Sequence, residues 1–270
     1  MLSTLLKHEF SATWRVPVAL EALLILLGIM GAVTIGYIPQ AGESMGTSIL
    51  MFAFMALYYV GIIAANIVTI VYLVMRYYKN LYTSQGYLTF TLPVKTSSII
   101  TSKVITGSVW MLLAYICTIL SILITLFGII SRVILSPSDF VSIMHEFQGT
   151  SDILNPKFFL SVIFLIIVSA LGTILSLYFC ITVGQLWAKH KILGAVLCYA
   201  ALYVVNQIIS TVIMFTSGFF GMAAQSSSDA DIFTRMYGNM AFTLGGIVLI
   251  ECAIYYVACL LITRKKVNLD

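Results

Sequence analysis

Two carboxylates, Glu21 and Glu251, fall inside long apolar stretches of the chain. An ionised carboxylate at the centre of a bilayer costs about 2.5–3.5 kcal/mol even on insertion scales. Glu251 lies in the middle of its stretch, so it must be protonated, hydrogen-bonded to a neighbouring helix, or turned to a wet cavity. Glu21 lies about one turn inside its stretch, where it can snorkel to the interface or pair with Arg15. Neutral polar side chains form stripes nearby. Tyr59, Ile62, Asn66 and Thr69 share one helix face, and Tyr199, Tyr203, Asn206 and Ser210 share another, with Gln207 adjacent. Residues three and four apart align in this way. Such stripes either bind neighbouring helices or line a path. Gly61, Ala64 and Ala65 favour close helix approach along part of the first.

Other chemistries lack their residues. His8, His145 and His190 lie in separate segments and cannot converge on a metal. Cys117, Cys180, Cys198, Cys252 and Cys259 sit in apolar runs without a CxxC pair, as small packing residues do. No glycine precedes a lysine, so no GxxxxGK[ST] loop exists to cradle nucleotide phosphates. GxSxG, HExxH and paired-carboxylate signatures are missing as well.

The elements that must position these residues follow from composition. Of 270 residues, 61% are hydrophobic and 9% charged, with a mean hydropathy of +1.06. Soluble domains carry about 25% charged residues, so a water-soluble globular enzyme is excluded. A net charge of +4, dispersed along the chain, does not suggest nucleic acid. A spanning helix needs about 20 mainly apolar residues. Six such runs are present, at approximately 17–38, 47–75, 98–130, 158–187, 192–222 and 238–263. Pro17, Pro39, Pro93, Pro137 and Pro156 fall at their edges or between them, where helices end.

The third run is longer than a bilayer core requires and must tilt or extend into water, with the lipid boundary between Lys103 and Trp110. Glycines in the Thr216–Gly221 stretch predict a break in the fifth helix, and a short outer helix is expected at Asp139–Phe147. Residues 1–16 place Leu2, Leu5, Leu6, Phe10 and Trp14 at helical spacing, with Lys7, Glu9 and Ser11 between. This predicts an amphipathic helix lying in the interface. With the N-terminus inside, every basic residue except Arg132, Lys157 and Arg235 falls on the cytoplasmic side, as the positive-inside rule asks. Both termini, including a tail at 264–270, are then cytoplasmic. The fold class is all-α membrane protein: six spans preceded by an interfacial helix.

The inner segment 76–97 is too long for a simple turn. Tyr77, Tyr78, Tyr82 and Tyr87 interleave with basic residues, as in an inner aromatic belt. Gly86 opens a compact apolar stretch, Tyr87–Leu92, stopped by Pro93 before a helix start at Thr96 or Ser97. An exposed apolar knob either tucks back into the interface or docks on another protein.

The run G-Y-L-T-F-T-L-P-V from Gly86, followed by Ser102-Lys103, resembles the inner loop of bacterial ABC-2-type transporter permeases. The overall plan resembles theirs too: an interfacial helix, six spans in one domain over 17–263, both ends inside, and an outer loop after span five. The resemblance implies a type V ABC exporter-like fold and a coupling loop at 76–97 that docks on a separate ABC ATPase subunit. Gly86, Tyr87, Leu88, Leu92 and Pro93 are the implied ATPase contacts. The residue before the glycine is often acidic in that family, whereas here it is Gln85. In the family the path is bordered by spans two and five of two permease subunits, identical or related. That makes Asn66, Thr69, Tyr203, Asn206 and Ser210 path residues, with Glu251 and Glu21 as intramembrane acids.

The implied activity is export of an amphipathic cargo (peptide, drug or lipid) across a bacterial cytoplasmic membrane. The chain itself would be no enzyme and hold no cofactor, with ATP and Mg²⁺ on the partner. A membrane anchor or sensor subunit using the same loop is the other class the sequence admits. A secondary transporter is disfavoured, because no internal repeat is evident and only Glu251 is central.

Overall fold

The computed structural model describes residues 2–37, 45–83, 86, 95–134, 156–187, 190–223 and 229–266. Among them no strand occurs, and seven helices follow in order: α1 (Leu2–Thr13), α2 (Arg15–Tyr37), α3 (Met45–Tyr82), α4 (Thr96–Ile134), α5 (Pro156–Gly184), α6 (Lys191–Ala223) and α7 (Asp229–Lys266). The last six are long and apolar enough to cross a membrane. Large apolar side chains lie on their outer faces: Leu23 is 57% exposed, Phe52 78% and Phe215 75%. Contiguous apolar surface of this kind is a liability in water and suits lipid. The chain thus reads as a multi-pass membrane protein.

Local chemistry explains several boundaries. Pro156 opens α5 and Pro17 is the third residue of α2, both in a first turn where a missing N–H costs nothing. The α1–α2 junction is a single residue, Trp14, and Val18 N–H already bonds the Trp14 carbonyl at 3.1 Å. α5 closes with N–H bonds from Gln185 to Ile181, from Leu186 to Val183 and from Trp187 to Gly184. A Cβ on Gly184 would lie 2.7 Å from Ala195 N and Lys191 O, so the tight α5–α6 return needs glycine there.

The break expected at Thr216–Gly221 does not occur, since α6 continues to Ala223. A glycine costs a helix about 1 kcal/mol. Interrupting the ladder at membrane depth strands backbone groups at several kcal/mol each, so the helix persists. The expected outer helix at Asp139–Phe147 lies outside the described residues.

The chain divides into two compact units, with boundaries inside α1, α3 and α4. One comprises residues 12–72 and 113–149. Here α2 and α4 meet through hydroxyls. Ser121 donates to the Leu24 carbonyl at 3.1 Å, and Thr125 shares its proton between the carbonyls of Gly28 (3.3 Å) and Ser121 (3.0 Å). Tyr58 joins from α3 at 2.9 Å from Ser121 Oγ. The approach is close enough that a Cβ on Gly128 would lie 2.5 Å from Ala32 Cα. Gly128→Ala must push main chain apart, at about 1–3 kcal/mol. We expect a lower thermal midpoint in micelles by helical circular dichroism, whereas Gly246→Ala, where a Cβ meets open space inside α7, should raise it slightly.

The other unit comprises residues 1–11, 73–112 and 150–270. In it α5 packs against both α6 and α7. Ring pairs Phe179–Tyr255 (centroids 5.1 Å apart) and Phe164–Phe242 (5.8 Å) fasten α5 to α7.

Candidate functional site

Helices α5, α6 and α7 border two adjoining, half-open cavities of about 240 Å³ each. Tyr203, Asn206, Val248 and Glu251 line both. Ser169, Thr173 and Ser176 of α5 border the first, with Tyr199 and Tyr255, and Ser210 borders the second. Three helices can converge polar groups here because each carries them at three- and four-residue intervals. Glu251 sits half-buried where the cavities meet, with Val248 one turn earlier on α7.

The hydrogen-bond directions in this site are uneven. Ser169 donates to Ile166 O at 2.9 Å, Thr173 to Ser169 O at 2.8 Å, Ser176 to Thr173 O at 3.0 Å and Ser210 to Gln207 O at 3.0 Å. Each hydroxyl proton is committed to its own helix, which leaves the oxygens as acceptors. The Asn206 amide lies beside the Tyr255 hydroxyl, yet Asn206 Oδ1 is buried without a hydrogen-bond partner. Among the described residues, no Lys, Arg or His lines either cavity.

A second polar cluster lies elsewhere in the same unit. Glu9 of α1 bonds Lys103 Nζ of α4 at 2.7 Å and Arg76 of α3 at 3.4 Å. The Lys103 side chain is only 6% exposed. Phe10 of α1 packs on Trp110 of α4, with centroids 6.1 Å apart. Helix α1 is therefore keyed into the bundle through its acid as well as its apolar side chains. Next to it Tyr77 is fully buried, stacked on Tyr178 at 3.8 Å and 7°, with its hydroxyl 3.3 Å from Thr182. Tyr77 is a packing residue rather than an interfacial anchor. Tyr82 donates to the same Thr182 at 3.0 Å.

The remaining expected site residues fall as follows. Tyr203, Asn206, Ser210 and Glu251 are brought together. Asn66 and Thr69 belong to the other unit, where Asn66 donates to Thr118 at 3.1 Å and to Ile62 O at 3.0 Å, and Thr69 is fully buried. Glu21, 7% exposed, forms no ion pair with Arg15 and lies beside the Thr69 hydroxyl. Neither Glu21 Oε2 nor Thr69 Oγ1 makes a hydrogen bond. Gly86 is buried, its N–H closing a turn on the Thr83 carbonyl at 2.7 Å. Tyr87, Leu88, Leu92 and Pro93 lie outside the described residues.

Two contributors escape the reading of the sequence. The α5 face of Ser169, Gly172, Thr173 and Ser176 has the same three-and-four spacing as the α6 stripe, and that spacing is its signal. Glu9 has no such signal, because on α1 it reads as part of the water-facing side. Among the described residues no group of three or more His, Cys, Asp or Glu could hold a metal ion. No family model, curated protein or solved structure matches the chain.

Proposed function

We propose that this chain is the membrane-embedded permease half of an ATP-driven exporter, with a separate ABC ATPase as motor and a second permease subunit completing the path. The reading starts from the likeness of Gly86–Val94 to the inner loop of ABC-2 permeases. The observation that supports it most is the state of α6. Only 6% of its apolar core stretch is buried, against 22–28% in the other five long helices. Yet α6 carries Tyr203, Asn206 and Ser210 to the cavities beside Glu251. A polar-edged helix left uncovered in one chain suits a path closed by a second copy or a relative. Glu251 and the hydroxyl ladder of α5 then form the polar part of a mostly apolar route for an amphipathic cargo. This chain supplies path and lever, and its cytoplasmic segment receives the motion of the ATPase.

The test is purification of the full chain from its native membrane in mild detergent. A P-loop ATPase should be retained in equal number to the permease, and ATP hydrolysis should respond to cargo after reconstitution. A chain that purifies intact without any ATPase overturns the reading. An ATPase held in fixed ratio but indifferent to every amphipathic cargo supports the anchor or sensor subunit instead.

A further inference from the structure

Several polar groups around Glu251 offer oxygens that can accept a hydrogen bond. The hydroxyls of Ser169, Thr173, Ser176 and Ser210 spend their protons on helix carbonyls. Asn206 Oδ1 is buried and bonds nothing. Glu251 supplies a carboxylate, and no basic side chain among the described residues lines the space. The best complement to such a set carries several donors, no acceptor and one positive charge, and an ammonium is that group. Its charge also offsets what an ionised carboxylate costs at this depth. Tyr199, Tyr203 and Tyr255 add aromatic rings, which attract cations by their faces. The rest of the wall includes Leu202 and Val248 in one cavity and Leu244 and Ile247 in the other. That surface accepts an apolar body attached to the charged head.

We propose that the paired cavities between α5, α6 and α7 form a binding site for a monocationic amine with an apolar body, with Glu251 as the charge partner. Asn206 Oδ1 and the α5 hydroxyl oxygens take the ammonium protons, and the two cavities divide the ligand into head and body. This names the cargo class of the permease and so rests on that reading.

The experiment uses the full chain in nanodiscs of digalactosyldiacylglycerol, which carries neither an amine nor a net charge, with dansylcadaverine as the cationic probe and its N-acetylated form as the neutral one. A hydrogen bond to a charged group contributes about 1.5–3 kcal/mol, so the cation should bind roughly tenfold or more tighter than the neutral probe. Glu251→Gln, which keeps size and hydrogen bonding, should abolish that preference and leave the neutral probe unchanged. Asn206→Leu removes an acceptor oxygen and should weaken the cation more than the neutral probe, while Glu21→Gln in the other unit should change nothing. Equal affinity for both probes, a preference kept in Glu251→Gln, or a cation affinity unmoved by Asn206→Leu each overturns the proposal. Phosphatidylethanolamine added to the discs identifies the source. Competition means the ammonium belongs to a lipid headgroup, no competition that it belongs to a soluble amine, and both keep the ammonium site. Since no ATPase is needed, a chain that retains its ATPase but ignores the cation loses only the cargo class. A chain that binds the cation but never holds an ATPase loses the permease assignment instead.

Discussion

If the chain is the permease half proposed above, removing Tyr87–Pro93 should leave the protein inserted in the membrane but strip it of its ATPase on purification. The stretch is apolar and sits between Gly86, whose N–H closes a turn after α3, and the start of α4 at Thr96. Insertion depends on the six long helices, none of which loses a residue in this deletion. Docking depends on the anchors that fill a pocket on the partner, and truncating one such anchor costs about 2 kcal/mol or more, near thirtyfold in affinity. Leu88→Ala and Leu92→Ala should therefore weaken retention by that order individually, and the full deletion should abolish it. The measurement is ATPase-to-permease stoichiometry after size exclusion. Undiminished retention in the deletion would sink the coupling role of this segment.

Glu9→Ala should be strongly destabilising. It removes the carboxylate that Lys103 meets at 2.7 Å and Arg76 at 3.4 Å, leaving the Lys103 charge, 6% exposed, without that partner. Breaking one side of a buried ion pair costs about 3–5 kcal/mol, mostly through the charge left behind. Lys103→Met in the same background should recover most of the loss, because the stranded charge goes with it. The fraction of monodisperse protein surviving a heat ramp in micelles reads both effects. High salt separates a buried key from a surface pair, since screening weakens exposed pairs far more. If Glu9→Ala matches the parent, or if its deficit vanishes in high salt, α1 is merely resting on the surface.

The six long helices are legible in the sequence because length and hydropathy alone decide them. The α6 stripe is legible for a related reason: a polar side chain in an apolar helix must face something, and the three-and-four spacing of Tyr203, Asn206 and Ser210 says they face it together. That Glu251 meets the stripe is not legible, because which face of α7 turns to α6 is set by packing between distant segments. Glu9 escapes for an opposite reason. On an isolated amphipathic helix a carboxylate belongs to the polar side, and only Lys103 and Arg76, far along the chain, turn it inward. The expected break in α6 reads glycine as punctuation, a habit learned from water, where freed backbone groups find other partners.

The hydroxyl ladder of α5 has a mechanical side as well. Ser161, Ser169, Thr173, Ser176 and Thr182 all return a hydrogen bond to the turn before them. Such second bonds compete for carbonyls already engaged in the helix and tend to bend it slightly. Spread along one helix, they let α5 bend gradually over its length instead of at a single kink. It can flex across the cavity with every main-chain hydrogen bond still made, a deformation that a bilayer, with no water to heal a broken turn, permits.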